Sequence, residues 1–136
     1  MKRETAVRLL DRLHEAQNEF YAGGAGEGLD RVLAPDITWI VPGENRIAGT
    51  YRGLTQVLEY FRLRRELADR TFRVTRRDIL VGDGNRLAAL TDGTATIDGA
   101  RHHWSTVGLY EVRDERIASC RLLALDQTAF DAIWGA

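Results

Sequence analysis

Residues 100–112, ARHHWSTVGLYEV, and residues 117–125, IASCRLLAL, decide the fold of this chain. Both runs are rich in β-branched, aromatic and apolar residues, and the polar loop RDER at 113–116 has a common length for a β-hairpin connection. If Val112 faces Ile117, then His103 faces Asp126. The hairpin therefore predicts an imidazole beside a carboxylate, a pair suited to acid–base chemistry.

Two long helices are expected before this hairpin. Apolar residues recur every three or four positions over 5–21 and again over 54–68, which indicates helices with one buried stripe each. On the second helix, Arg62, Arg64 and Arg65 are expected on the solvated face. A short helix at 28–34 and a final helix that begins at Asp126 or Thr128 complete the helical set.

The remaining segments read as strands. Their residues are β-branched or aromatic and are bounded by turn residues such as Asp98-Gly99; the predicted strands are 36–42, 47–52, 72–81, 86–97, 102–112 and 117–125. Helices followed by a long meander predict an α+β fold, in which the helices cover one face of a curved sheet and enclose a pocket.

Length and composition restrict the class of protein. A chain of 136 residues, 44% hydrophobic, fits one domain over residues 1–136. Nineteen basic and 20 acidic residues are spread along the chain, so no surface for nucleic acid is expected. The start lacks an apolar leader, no apolar run is long enough to span a membrane, and Cys120 stands alone. These features predict a cytoplasmic protein with no membrane partner.

Several stretches, in a characteristic order over nearly the whole chain, carry a family resemblance. They are AG at 22–23, LAPDITW at 33–39, VPG at 41–43, AGTYRG at 48–53, LYEVRDERI at 109–117, DQ at 126–127, FD at 130–131 and Trp134. Together they resemble the SnoaL-like group of the nuclear transport factor two-like superfamily, to which ketosteroid isomerase is related. The resemblance implies a cone-shaped, antiparallel or mixed sheet wrapped by three to four helices around an interior cavity. It also implies a homodimer through the outer face of the sheet.

This fold hosts many activities, so the residues decide between them. Ketosteroid isomerisation is not expected, because the positions of its base, buried acid and tyrosine fall on Val41, Val107 and Ala16. The SnoaL-like polyketide cyclases fit better. They are associated with a histidine on the penultimate strand and an aspartate at the end of the last, and His103 and Asp126 match these places.

Strand alternation predicts which side chains enter the cavity. It places His103, Ser105, Val107 and Leu109 on one face with Cys120, Leu122, Ala124 and Asp126, and leaves Trp104, Thr106, Gly108 and Tyr110 for a partner subunit. A two-residue turn at Asp98-Gly99 sets Asp92 opposite Ser105, so Asp92 joins the cluster. The expected ligand-binding residues are Trp39, Val41, Tyr60, Val107 and Leu122.

The leading hypothesis is a cofactor-free enzyme of cyclase or isomerase type acting on an apolar carbonyl or polyketide-like compound. Asp126 would abstract a proton, His103 would orient it or donate to the enolate oxygen, and Asp92 would assist. The structural alternative is that His103 and Asp126 form an ion pair at the rim while Asp126 caps the last helix.

The functional alternative is a non-catalytic protein that holds a hydrophobic ligand in the same cavity. An epoxide hydrolase is disfavoured because Arg101 and Arg121 have the wrong strand parity. No metal site is expected, because three scattered histidines and one cysteine give no ligand spacing of the zinc type.

Overall fold

The computed structural model describes residues 1–136 and confirms the α+β class. Four helices and six strands follow one another in the order α1 (Arg3–Tyr21), α2 (Leu29–Val32), β1 (Leu33–Val41), β2 (Gly49–Arg52), α3 (Gly53–Leu67), β3 (Arg73–Val81), β4 (Arg86–Ile97), β5 (Ala100–Arg113), β6 (Arg116–Ala124) and α4 (Gln127–Trp134). Among the element bounds, the largest difference from the prediction is at β1, which begins at Leu33, three residues before the predicted strand.

The six strands form one mixed sheet in the order β2-β1-β6-β5-β4-β3. β1 runs parallel to β6, and every other neighbouring pair is antiparallel. The last strand of the meander therefore pairs with the first strand of the chain. This long-range pairing places Trp39 of β1 beside Cys120 of β6.

The core lies between one face of this sheet and the helices. β4 alternates between buried and half-buried residues along nearly its whole length, which is the signature of a strand covered on one face. Helix α1 contributes Leu9, Leu10 and Leu13 to the core, and α3 contributes Val57 and Phe61. We call the covered face the inner face of the sheet and the opposite one the outer face.

The hairpin of β4 and β5 has the predicted register. Ile97 pairs with Ala100, Thr94 with His103 and Asp92 with Ser105. Asp98 and Gly99 both have positive φ, as a two-residue hairpin turn with right-handed strand twist requires. The turn chemistry was therefore sufficient to fix this register.

The predicted register of β5 and β6 is wrong beyond its first pairs. Val112 does pair with Ile117, but Glu111 then pairs with Ser119, so Ala118 is an extra residue on β6. This β-bulge shifts every later pair by one position. The ladder ends where Thr106 pairs with Ala124, and His103 has no partner on β6.

The bulge also reverses the predicted faces of β5. The inner face carries Trp104, Thr106, Gly108 and Tyr110, while His103, Ser105, Val107 and Leu109 point to the outer face. On β6 the alternation after the bulge is as predicted, with Cys120 and Leu122 inside. The residues assigned to a partner subunit on β5 are thus core residues.

Candidate functional site

A small cavity lies on the inner face, bounded by β4, β5 and β6 on one side and by α1, α3 and α4 on the other. Its volume is about 30 Å³. Seven of its lining residues are Trp, Phe, Val or Leu. The polar ones include His14, Gln17, Arg64, Thr91 and Thr106. A space of this size holds a group as large as a water molecule.

Aromatic rings form most of the wall. All three tryptophans of the chain, Trp39, Trp104 and Trp134, line the cavity. The rings of Trp104 and Trp134 meet edge to face with centroids 5.3 Å apart, a favourable geometry for an aromatic pair. A Cβ added at Gly93, which pairs with Trp104, would lie 2.5 Å from the indole Cε2. Glycine at this position therefore makes room for the ring.

Buried polar groups are mixed with these rings. The hydroxyls of Thr91 and Thr106 lie 3.0 Å apart, and each residue is less than a tenth exposed. Gln17 and His14 approach from α1. Burial, reinforced by the nearby positive charge of Arg76, lowers the pKa of His14 to about 4, with a small opposing effect of Asp11. His14 is therefore a neutral imidazole at pH 7.

Arg64 is the buried cation of the cavity, only 5% exposed. The sequence-based placement of this residue on the solvated face of α3 is wrong. Arg64 lies four residues after Tyr60 and three after Phe61, so it belongs to the buried stripe of the helix. That periodicity was the available signal, and the run of neighbouring arginines masked it.

The predicted ligand-binding residues divide into two groups. Trp39 and Leu122 line the cavity, and Val41 and Tyr60 are buried in the same core. Val107 was also expected in the cavity. It lies on the outer face, opposite Leu90 on β4 and Leu123 on β6, because of the bulge at Ala118.

The predicted catalytic residues are not brought together as expected. His103 is exposed on the outer face, and Asp126 is exposed just after β6, where its carboxylate accepts a hydrogen bond from the Ala129 amide at 3.0 Å. Asp126 thus caps α4, as one of the two predicted capping residues. The prediction that His103 faces Asp126 is wrong because the bulge at Ala118 shifts the register of β5 with β6.

Asp92 does face Ser105, as predicted. Its carboxylate accepts a hydrogen bond from the Ser105 hydroxyl at 2.5 Å and pairs with Arg77 Nε at 2.9 Å. Thr91 and Gly93, on either side of Asp92, are the buried residues of β4 here, so the Asp92 side chain lies on the outer face with Ser105. Asp92 borders the cavity, but its carboxylate points away from it.

The outer face carries a wider, open groove of about 520 Å³. Ile40, Leu80, Ala88 and Leu109 give it an apolar floor, and Arg121 and Glu111 flank them. Leu80 is 70% exposed, Leu109 42% and Leu123 40%. Exposed leucines concentrated on one sheet face are typical of a surface that meets another molecule.

No group of three or more His, Cys, Asp or Glu side chains is arranged to hold a metal ion. None of the helices combines the length and the apolar character needed to cross a bilayer.

Comparison with known proteins identifies a family and a set of relatives. The sequence profile of the SnoaL-like domain matches residues 13–120. An uncharacterised protein of Mycobacterium tuberculosis is 27% identical over 125 residues, which are 92% of this chain and 95% of that protein.

Solved structures share the fold at lower sequence identity. Bal32a, from a soil-derived mobile gene cassette, superposes with a TM-score of 0.84 at 22% identity, covering 96% of this chain and 99% of Bal32a. A Jannaschia sp. CCS1 protein proposed to be a SnoaL-like polyketide cyclase has a TM-score of 0.77 at 16% identity, covering 98% of this chain and 94% of that one.

Proposed function

Because this chain belongs to the SnoaL-like domain family, we propose that it binds a small organic molecule in the inner-face cavity. The observation that carries the proposal is the convergence of all three tryptophans with buried Arg64, Thr91 and Thr106 around one space. An apolar wall with a few convergent polar groups is the usual composition of a small-molecule site.

Binding without catalysis is the role that this geometry supports best. Proton transfer from carbon needs a base inside the site, with a pKa near the working pH. The cavity offers a histidine whose pKa is about 4, and the carboxylate of the one acidic residue that borders it, Asp92, is bound to Ser105 and Arg77 on the outer face. The hydrophobic-ligand alternative is therefore preferred over the cyclase or isomerase hypothesis.

Two neighbouring leucines provide a test of where the ligand binds. Leu122 lines the cavity and is 8% exposed, whereas Leu123 lies on the outer face and is 40% exposed. We expect Leu122→Phe to weaken binding of the smallest organic compounds by filling the cavity, and Leu123→Phe to leave it unchanged. Calorimetric titration measures the affinity, and circular dichroism shows that both variants are folded. Loss of binding in Leu123→Phe alone would place the ligand on the outer face instead.

A second candidate function, proton transfer on an apolar carbonyl compound, rests on Asp92, which borders the cavity and binds Ser105 and Arg77 on the outer face through its carboxylate. Asp92→Asn would then abolish turnover of such a compound. His103→Ala and Asp126→Asn test the other two predicted residues in the same assay. Full activity in all three variants would rule out this group of residues as the source of catalysis.

We also propose that the outer face pairs with a second copy of the chain. Its exposed leucines form an apolar area, and Arg121 and Glu111 supply charges of both signs beside it. A face of this composition is able to complement itself across a two-fold axis.

A further inference from the structure

The cavity contains a positive charge that no protein anion neutralises. Arg64 is 5% exposed, and it takes no part in any of the ion pairs of the structure. Its one side-chain hydrogen bond runs from Nη2 to the hydroxyl of Tyr21, and its buried Nε has no protein partner. A buried charge without a counter-charge lowers the stability of the folded protein, so the presence of Arg64 here calls for an explanation.

Aromatic rings offset part of this cost. The guanidinium carbon lies 4.3 Å from the centroid of the Tyr60 ring, 5.1 Å from that of Phe72 and 5.2 Å from those of Tyr21 and Phe61. These are distances at which a cation is attracted by the face of a ring. The rings hold the guanidinium in place, but apart from the Tyr21 hydroxyl they offer its N–H groups no hydrogen-bond acceptor.

The acidic groups nearest to Arg64 do not supply the missing negative charge. Burial raises the pKa of Tyr21 to about 12, and it also raises the pKa of Tyr60, Tyr110 and Cys120. All four are therefore neutral at pH 7.

The other unpaired groups of the core are also mainly donors. The buried side-chain atoms without a protein partner are Trp39 Nε1, Trp134 Nε1, Arg64 Nε and the Tyr60 hydroxyl oxygen. An indole or guanidinium nitrogen donates hydrogen bonds and accepts none. Trp39, Trp134 and Arg64 line the same cavity. What this interior lacks is a hydrogen-bond acceptor that carries negative charge.

We propose that the inner-face cavity binds the carboxylate group of a small organic acid, with Arg64 as its charged partner. The inference rests on the proposed function and narrows it to a class of ligand. A carboxylate suits the site because its two oxygens accept charge-assisted hydrogen bonds from a guanidinium, and because the aromatic walls suit an apolar remainder.

The volume of the cavity guides the choice of probes. About 30 Å³ admits a group close to the size of a water molecule, so formate and acetate are the first probes. Benzoate tests whether the aromatic walls open for a larger acid. Acetamide and benzamide are matched neutral compounds of nearly the same shape, which separate the role of charge from that of fit.

The experiment is a calorimetric titration of the full chain at pH 7, supported by tryptophan fluorescence, since every tryptophan lines the cavity. We expect at least one acid to bind about tenfold or more tightly than its amide, the size of effect that a hydrogen bond to a charged group gives. Arg64→Met should abolish this preference, and Arg64→Lys should keep part of it. Arg62→Met, an exposed position on the same helix, is the matched control and should keep it fully.

Thermal unfolding of the ligand-free variants distinguishes a binding role from a structural one. If Arg64 is retained for a ligand, Arg64→Met should melt no lower than the parent, because it removes an unneutralised buried charge. A lower melting temperature together with unchanged acid binding would overturn the proposal.

Failure of the carboxylate assignment and failure of ligand binding in the cavity give different results. Equal binding of acids and amides by the unmodified protein would overturn the carboxylate assignment and leave the cavity as a site for neutral compounds. Binding of neither series would count against both. The comparison of acid with amide uses the unmodified protein, so it decides the matter even if Arg64→Met does not fold.

Discussion

His14 is a polar residue on the buried side of α1, 7% exposed. Arg76 Nη1 lies 3.4 Å from its Nδ1, and Arg76 Nη2 is bound to Asp11 at 2.5 Å. This arrangement suits a neutral imidazole, because Nδ1 can accept from the guanidinium only when it carries no proton. Charging the ring would place two cations side by side in a poorly hydrated space.

The pH dependence of stability should therefore carry a contribution from His14. Its pKa is about 4 in the folded chain and 6.5 as the ordinary value, so the unfolded state binds the proton more readily. The contribution is favourable above pH 6.5 and is lost as the pH falls towards 4, by on the order of 3 kcal/mol in full. Urea unfolding between pH 7 and 4.5 measures it.

His14→Gln is the control for this prediction, because glutamine keeps a polar side chain that does not titrate. We expect the variant to lose less stability than the parent over the same pH range. Parallel curves for the two proteins would contradict a buried, neutral His14.

Helix α4 depends on its first turn. Asp126 Oδ1 accepts from the Ala129 amide, and the Asp126 carbonyl accepts from the Phe130 amide at 3.0 Å. The helix then buries Phe130 and Trp134 against the inner face, where Trp134 closes one side of the cavity. The cap therefore supports a wall of the proposed site.

Removing this cap should cost measurable stability. We expect Asp126→Ala to lower the free energy of unfolding by about 1 kcal/mol, the usual cost of losing an N-cap side chain. Asp126→Asn should cost much less, because asparagine caps almost as well. Chemical denaturation measures both. An equal loss in the two variants would mean that the carboxylate has another structural role. The same asparagine variant removes the carboxylate, so it separates capping from any part in catalysis.

The two faces of the sheet differ in what covers them. The inner face packs against α1, α3 and α4 around the cavity, and the outer face keeps its leucines accessible. The proposed dimer would cover that apolar surface and leave the cavity on the far side of the sheet. Ligand binding and assembly are then independent properties of one fold.

A single charge on the outer face should disrupt the proposed dimer. Leu109 is 42% exposed there, and Leu109→Glu would bring two carboxylates into an apolar contact, since a two-fold axis repeats every substitution. We expect the parent to sediment as a dimer and this variant as a monomer in analytical ultracentrifugation.

The matched control is Leu63→Glu, at an exposed leucine of α3 with 37% exposure. It should leave the dimer intact. A parent that stays monomeric across the concentration range would contradict the assembly and leave the inner-face site untouched.

The sequence by itself determined the α+β class, the order of the long elements and the register of β4 with β5. Helical periodicity and turn residues are local properties, and the Asp98-Gly99 turn fixes its hairpin because both residues adopt positive φ. The family resemblance also came from local stretches, and the SnoaL-like profile match confirms it.

The tertiary structure decided which side chains meet in the cavity. The bulge at Ala118 leaves no mark in the local sequence pattern, yet it exchanges the inner and outer faces of β5. As a result, Trp104 and Thr106 lie on the inner face where His103 and Val107 were expected. Arg64 resembles its exposed neighbours in sequence, and its burial depends on rings supplied by α1 and by the residues just before β3. Register and burial are set by contacts between distant segments, so they became fixed only when the sheet and the helices packed together.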